Sequence, residues 1–246
     1  MSVAHPILPY QDNPSAALAW LLRQDKSFLD MTEAVYRQEA SLLRTRSDGV
    51  LLRHRVSGGY LIGCDSPQAL EALAAEIPDR SAPLTVHLTA GSEALSRCFP
   101  GRCFEARTLW YLPEMTAPAF TQDFEIWPLD EGDLPDVLRC DPAVPAGPLR
   151  EQIHRRRVFG ACIRDELAGT VGTDPAGGIA WLAVRPDLRG QGIGRTLLRW
   201  MLRQELRQAH VPYLLLPERD AGITCLLRGE RLLPAEGHIL HAGQAN

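Results

Sequence analysis

Lysine is nearly missing from the 246-residue chain: Lys26 is the only one, so 25 of the 26 basic residues are arginines. Without a second lysine no G-K-[ST] phosphate loop can be built, which removes the nucleotide P-loops as a class. An excess of either charge is missing too. The 26 basic residues face 30 acidic ones, for a net charge of −4. A general nucleic-acid binder would need a basic domain, and no partner of that kind, nor an anionic membrane surface, is expected. No run of apolar residues approaches the roughly 18 of a membrane span. The start, Met1-Ser2-Val3-Ala4-His5-Pro6, has no basic cluster leading into an apolar core, so no signal peptide is expected. The six cysteines (64, 98, 103, 140, 162, 225) are too sparse for a disulfide scaffold and form no C-x-x-C pair. They read as reduced, mostly structural thiols of a cytoplasmic protein with no metal site. Short repeats and low-complexity tracts are absent as well.

What is present is an alternation of helix and strand patterns, enough for one large domain or two modest ones. Apolar residues at helical spacing open the chain: Leu18, Leu21, Leu22, then Phe28, Met31, Ala34 and Val35. Residues 50–55 and 60–63 read as strands joined through Ser57-Gly58-Gly59, a hairpin. Ser66 caps a helix from about Pro67 to Ile77. Strand, short helix and strand follow at 84–88, 92–98 and 104–112. A polar, proline-bearing stretch, Pro113 to Gln122, is the best linker. Beyond it the pattern restarts with a strand at 124–129, a helix capped by Asp130 or Asp133 and a helix at 148–157. Strands at 158–163, 167–172 and 179–184 follow, then a long helix to His210, a strand at 213–216, and a last helix and strand. This order gives an α/β (α+β layered) fold with a mixed, partly antiparallel sheet. The expected division is a module at 1–112, a linker at 113–123 and a second module at 124–246.

Chemistry concentrates in residues 181–195. An apolar strand ends at Val184, a turn passes through Pro186, and Gly190, Gly192 and Gly194 lead into a helix with Ile193, Leu197, Leu198, Met201, Leu202 and Leu206 on one face. Glycines let backbone N–H groups approach a ligand, and at a helix N-terminus those donors favour an anion. A phosphate or pyrophosphate is the expected ligand. The dinucleotide pattern G-x-G-x-x-G fails because Arg195 stands at its third glycine. The pattern R-x-x-G-x-G fits at every position from Arg189 to Gly194.

With the preceding V-x-P and the following Leu197-Leu198, this stretch resembles the acyl-CoA signature of the GNAT superfamily of N-acyltransferases. The resemblance covers about residues 124–246. It implies that the amides of Arg189, Gly190, Gln191, Gly192, Ile193 and Gly194, with Arg195 nearby, cradle the pyrophosphate of acetyl-CoA. It also implies that the main chain of Leu182, Ala183 and Val184 pairs with the pantetheine arm, and that no metal takes part. Arg195, in the first helical turn, opposes the helix dipole, a conflict that a bound polyphosphate would remove. Arg199, Arg203 and Arg207, which follow at four-residue spacing, read as a solvated face.

An amine with a pKa near 10.4 is unprotonated only about once in 2,500 molecules at pH 7, so attack on a thioester needs a carboxylate, direct or through water. Glu218, after the strand at 213–216, and Asp174, after the strand at 167–172, are the candidates by position. His154, among Arg155, Arg156 and Arg157, reads as surface. The family pattern N-x-x-A-x-x-L-Y-x-K-x-G-F is broken here: Arg219-Asp220-Ala221-Gly222-Ile223-Thr224-Cys225-Leu226 puts Leu226 where the tyrosine acid would stand, and Glu230-Arg231 replace Gly-Phe. Cys225 reads as structural. The first half resembles a degenerate GNAT-like module without the glycine loop, since Thr89-Ala90-Gly91-Ser92-Glu93-Ala94 lacks R-x-x-G-x-G. It is expected to shape the acceptor cleft or to complete the sheet. The expected function is transfer of an acetyl group to a primary amine on a small molecule or peptide, by a monomer or homodimer. A non-catalytic acyl-CoA sensor is the alternative, and an interaction module without a small ligand stands third.

Overall fold

Some helical segments of the computed structural model begin where a side chain accepts amides left unpaired at their start. Ser66 serves the helix Pro67–Ala75 in this way, its Oγ accepting the Ala69 amide at 3.1 Å. Asp25 serves the 3-10 turn Lys26–Phe28, accepting from the Ser27 amide at 2.7 Å. The structure describes residues 14–88, 93–121, 124–218 and 221–244. The chain divides into one unit of residues 1–105 with 237–246, and a second of residues 106–236.

In chain order the elements are α1 (Pro14–Leu21), α2 (Leu29–Tyr36), β1 (Ala40–Arg46), β2 (Gly49–His54), β3 (Tyr60–Cys64), α3 (Pro67–Ala75), β4 (Leu84–Leu88) and α4 (Glu93–Cys98). The second unit holds β5 (Glu105–Tyr111), β6 (Glu125–Pro128), α5 (Leu134–Cys140), α6 (Ala146–His154), β7 (Val158–Ile163), β8 (Glu166–Thr173) and β9 (Ile179–Val184). It continues through α7 (Ile193–Arg207), β10 (Tyr213–Pro217), α8 (Ala221–Gly229) and β11 (Leu233–Pro234). The final strand, β12 (His238–Ala242), returns to the first unit.

In the first unit the strands lie in the order β1-β2-β3-β4-β12, with β3 and β4 parallel and the other pairs antiparallel. One core is built on Leu51, Ile62, Leu70, Leu73 and Val86, and another on Trp20, Phe28, Met31 and Leu52. A polar layer is buried in this unit. His87 sits between the Ser27 carbonyl, at 2.8 Å from Nδ1, and Asp30, at 3.1 Å from Nε2.

The second unit has an antiparallel sheet β6-β7-β8-β9, together with β5, which carries β10 along one edge and the short β11 along the other. Ile193, Leu197, Leu198, Met201 and Leu202 on one face of α7 are buried in the same cluster as Ala168 and Val171 of β8.

Several elements differ from the sequence expectation. β1 was not expected. It is an edge strand with a bulge between Leu42 and Arg44, and it turns into β2 through the two residues Ser47-Asp48, with Arg46 paired to Gly49. The expected hairpin through residues 57–59 is the β2–β3 pair. The units divide at 105/106 and at 236/237 rather than around 113–123. β5 is laddered to β10 and β11 of the second unit, whereas β12 runs antiparallel to β4 over five residue pairs. Residues 89–92, 122–123 and 219–220, on which parts of the expected loop, linker and last helix fall, lie outside the described residues.

His54 of β2 is buried, and burial pushes its imidazole below the usual value, against the opposing pull of Asp30 and Glu39. A histidine with a lowered folded pKa stabilises the fold above its unfolded pKa, and that stability is lost as pH falls through the folded value. Urea denaturation should therefore show stability falling below about pH 6.5, by at most about 1.4 kcal/mol per pH unit from this residue. His54→Gln should flatten that slope, and an unchanged slope would remove His54 as its source.

Candidate active site

β9 closes the antiparallel sheet, while β10 is laddered to β5, and among the described residues no ladder joins β9 to β10. The main chain of β9 is further disturbed by a bulge. Its register with β8 runs from Thr173↔Ile179 and Gly172↔Ala180 to Thr170↔Ala183, leaving Trp181 and Leu182 against Val171. Trp181 holds a left-handed φ of 56°, unusual for an aromatic residue. The conformation is kept by two hydrogen bonds: Thr170 Oγ1 donates to the Trp181 carbonyl at 2.8 Å, and Trp181 Nε1 donates to the Thr173 carbonyl at 3.1 Å.

After Val184 the chain turns through the 3-10 segment Pro186–Leu188. Arg189 Nε donates to the Val184 carbonyl at 3.1 Å and ties the loop to the strand end. Arg185 reaches Glu166 at 2.7 Å and Asp187 at 2.8 Å across the same turn. Gly190 and Gly192 have φ of +79° and +86°, and a Cβ on either would meet nothing within 4 Å. Glycine is therefore required by backbone conformation and not by crowding. Gly192 is the N-cap of α7, no side chain caps this 15-residue helix, and its first turn holds no acid. The amides of Ile193, Gly194 and Arg195 have no preceding helical carbonyl to pair with. With the dipole of α7 behind them, these donors have the chemistry to meet an anion.

These groups open on a cleft of about 710 Å³, lined by the end of β9, the glycine loop, the first turn of α7, α8, and Cys140 and Asp141 at the end of α5. Among the residues expected to hold the cosubstrate, Leu182, Ala183, Val184, Arg189, Gly190, Gly192, Ile193, Gly194 and Arg195 line it, and Gln191, exposed on the loop, does not. The two expected proton acceptors stand elsewhere. Glu218 is exposed just past β10, its amide donating to the Ala106 carbonyl at 3.3 Å. Asp174 anchors the turn after β8, its Oδ1 accepting the amides of Ala176 at 2.8 Å and Gly178 at 3.0 Å. His154 is exposed, in agreement with the surface reading. Leu226 and Cys225 line the cleft from α8, with no hydroxyl at the Leu226 position.

Sequence reasoning missed Asp141, the one carboxylate among the cleft-lining residues, and its buried neighbour Cys140, whose thiol is pushed up by burial. Asp141 lies over 40 positions from Val184, and only its place before Pro142, a turn signal, was visible beforehand. Among the described residues no group of three or more His, Cys, Asp or Glu side chains could hold a metal ion, and no helix is long and apolar enough to cross a membrane.

The family model of the acetyltransferase (GNAT) domain matches residues 154–224, from the last residue of α6 into α8. No curated protein matches the chain. Among solved structures, a GNAT-family protein from Novosphingobium aromaticivorans superposes with a TM-score of 0.58 at 18% identity, over 96% of this chain and 100% of its own. A GCN5-related N-acetyltransferase from Kribbella flavida gives a TM-score of 0.52 at 14% identity, over 95% and 94%. A Drosophila protein gives 0.61 at 16% identity, over 81% and 76%. At these identities the likeness is one of fold, a mixed α/β architecture shared with the GNAT N-acyltransferases.

Thr170 is buried, and its hydroxyl is the side-chain donor to the Trp181 carbonyl. Thr170→Val should destabilise the chain by about 1–3 kcal/mol by leaving that carbonyl unpaired. Urea denaturation measures the loss, and an unchanged midpoint would show that the bulge does not depend on this bond.

Proposed function

We propose that the chain uses the region that matches the GNAT acetyltransferase domain model, residues 154–224, to transfer an acetyl group from acetyl-CoA to a primary amine. The observation that carries this reading is the uncapped N-terminus of α7 opening on a cleft beside an unladdered stretch of β9. The amides of residues 189–194 would hold the pyrophosphate, with Arg195 beside them. The main chain of Leu182, Ala183 and Val184 would take the pantetheine arm as an added strand, a mode that asks of side chains only that they be apolar.

In the transfer, the neutral amine nitrogen forms a bond to the thioester carbonyl carbon, the C–S bond breaks, and the thiolate leaves and takes the proton that the new amide nitrogen sheds, becoming the free thiol. A thiol pKa near 8.5 makes that departure easy without a strong general acid, so Leu226 does not forbid catalysis. The proton lost by the ammonium must go to a carboxylate. Glu218 is the proposed acceptor, reached through water, and Asp174 is the second candidate. Asp141, in the cleft wall, is proposed to meet the ammonium and hold it before deprotonation. Holding both reactants in one cleft supplies most of the rate, since it turns a bimolecular step into a local one. The first unit is proposed to be a degenerate module of the same kind, consistent with its strand–helix order and with the unbroken ladder between β3 and β4.

One observation favours a second reading, a non-catalytic acyl-CoA sensor. Neither Glu218 nor Asp174 lines the cleft, and Leu226 brings no hydroxyl to it.

Acetyl-CoA at 100 times its dissociation constant should stabilise the chain by about 2.7 kcal/mol in a thermal shift, and Gly192→Glu, which strains the loop and adds an anion, should abolish the shift. If Gly192→Glu still binds acetyl-CoA, the loop assignment fails. Thiol release across a panel of amines separates enzyme from sensor. Glu218→Gln should lower kcat/KM about 100-fold, and Asp141→Asn should raise KM for the amine. A full loss of turnover in Asp141→Asn with Glu218→Gln unaffected would move the proton acceptor to Asp141.

A further inference from the structure

Glu230 stands where the family pattern has a glycine, and its side chain is only 2% exposed. A buried carboxylate is costly unless cations meet it. Two do, both from α7. Arg199 Nε donates to Oε2 at 2.6 Å, an interaction that raises the Arg199 pKa, and Arg195 Nε lies 3.1 Å from Oε1. The two contacts differ in kind. The Arg199 contact is a directional hydrogen bond, whereas Oε1 makes no hydrogen bond of good geometry, so Arg195 is held there mainly by charge. Arg195 is also 55% exposed and lines the cleft, in the helical turn where the dipole disfavours a cation. A guanidinium approached along its Nε edge keeps the opposite edge, with its Nη donors, for a second anion.

We infer that Glu230 is a positioning residue for the phosphate end of acyl-CoA. It offsets the misplaced charge of Arg195 and holds the guanidinium at the rim, where its remaining donors join the loop amides. The chain would thereby add a side-chain cation to an anion site that otherwise rests on the backbone. Arg199 completes the triad by anchoring Glu230, so the carboxylate stays in place. This inference rests on the acyl-CoA reading above.

The test titrates the full chain calorimetrically with acetyl-CoA, with S-acetylpantetheine, which has the arm and thioester but no phosphate, and with inorganic pyrophosphate. Glu230→Gln and Arg195→Gln should each weaken acetyl-CoA and pyrophosphate by about tenfold, the range of one charge-assisted contact, and leave S-acetylpantetheine unchanged. The double variant should bind acetyl-CoA no more weakly than Arg195→Gln alone. Glu230→Asp, which keeps the charge but withdraws it by one methylene, should show the same selectivity with a smaller loss, and it serves where the amide variant does not fold. Equal losses for acetyl-CoA and S-acetylpantetheine would mean that Glu230 is merely structural. Losses that multiply in the double variant, or no loss in Glu230→Gln, would also overturn the proposal. A wild-type chain that binds neither acetyl-CoA nor S-acetylpantetheine would overturn the acyl-CoA reading itself, and the role of Glu230 with it.

Discussion

Unpaired main chain between β9 and α7 is the constraint on which the second unit turns. Buried or half-buried backbone groups without partners cost about 1–3 kcal/mol each, and protein folds normally arrange for nearly all of them to be satisfied. Here three features act against satisfaction in one place. β10 pairs with β5 instead of β9, a bulge takes Trp181 and Leu182 out of register with β8, and α7 begins on a left-handed glycine with no capping side chain. The surroundings hold this arrangement firmly, through the Thr170 hydroxyl, the Arg189 tie to Val184 and the apolar face of α7. This held-open main chain is the feature on which the proposed acyl-CoA site rests.

The first unit makes the point by contrast. It too follows a strand meander with a helix and a further strand, yet β3 and β4 are laddered in parallel from Tyr60↔Leu84 to Cys64↔Leu88. Every main-chain group along that pair has a neighbour, and α3 between them is capped by Ser66. No slot is left for an extended ligand between those strands. Similar element order therefore does not imply a similar site, because the site depends on where a ladder is withheld.

Departures from the family pattern become intelligible once their surroundings are known. Leu226 adds apolar wall to the cleft in place of a hydroxyl, which is compatible with a leaving group that needs little acid help. Glu230 is not an eroded position. It is buried between two arginines of α7, and Arg195 faces it while lining the cleft. The helix dipole alone would argue against a cation at Arg195, and the buried carboxylate supplies the local compensation.

Much of the fold was legible residue by residue. The capping serine at 66, the hairpin glycines at 58 and 59, the apolar stripe of α7 and the R-x-x-G-x-G loop are all local, since turn chemistry and helical period act over a few residues. β1 escaped because its sequence, Ala40-Ser41-Leu42-Leu43-Arg44-Thr45-Arg46, does not alternate apolar and polar residues, and a bulge between Leu42 and Arg44 breaks its register. The path of β12 back to β4, the place of β5 beside β10, and the meeting of Asp141, Val184, Gly192 and Leu226 around one cleft were not legible at all. By itself the sequence determined the glycine loop, because its left-handed turns at Gly190 and Gly192 call for glycine at those positions. Tertiary structure alone decided what surrounds it, which carboxylates reach the cleft and which stay outside, because those distances depend on how strands far apart in the chain choose their neighbours.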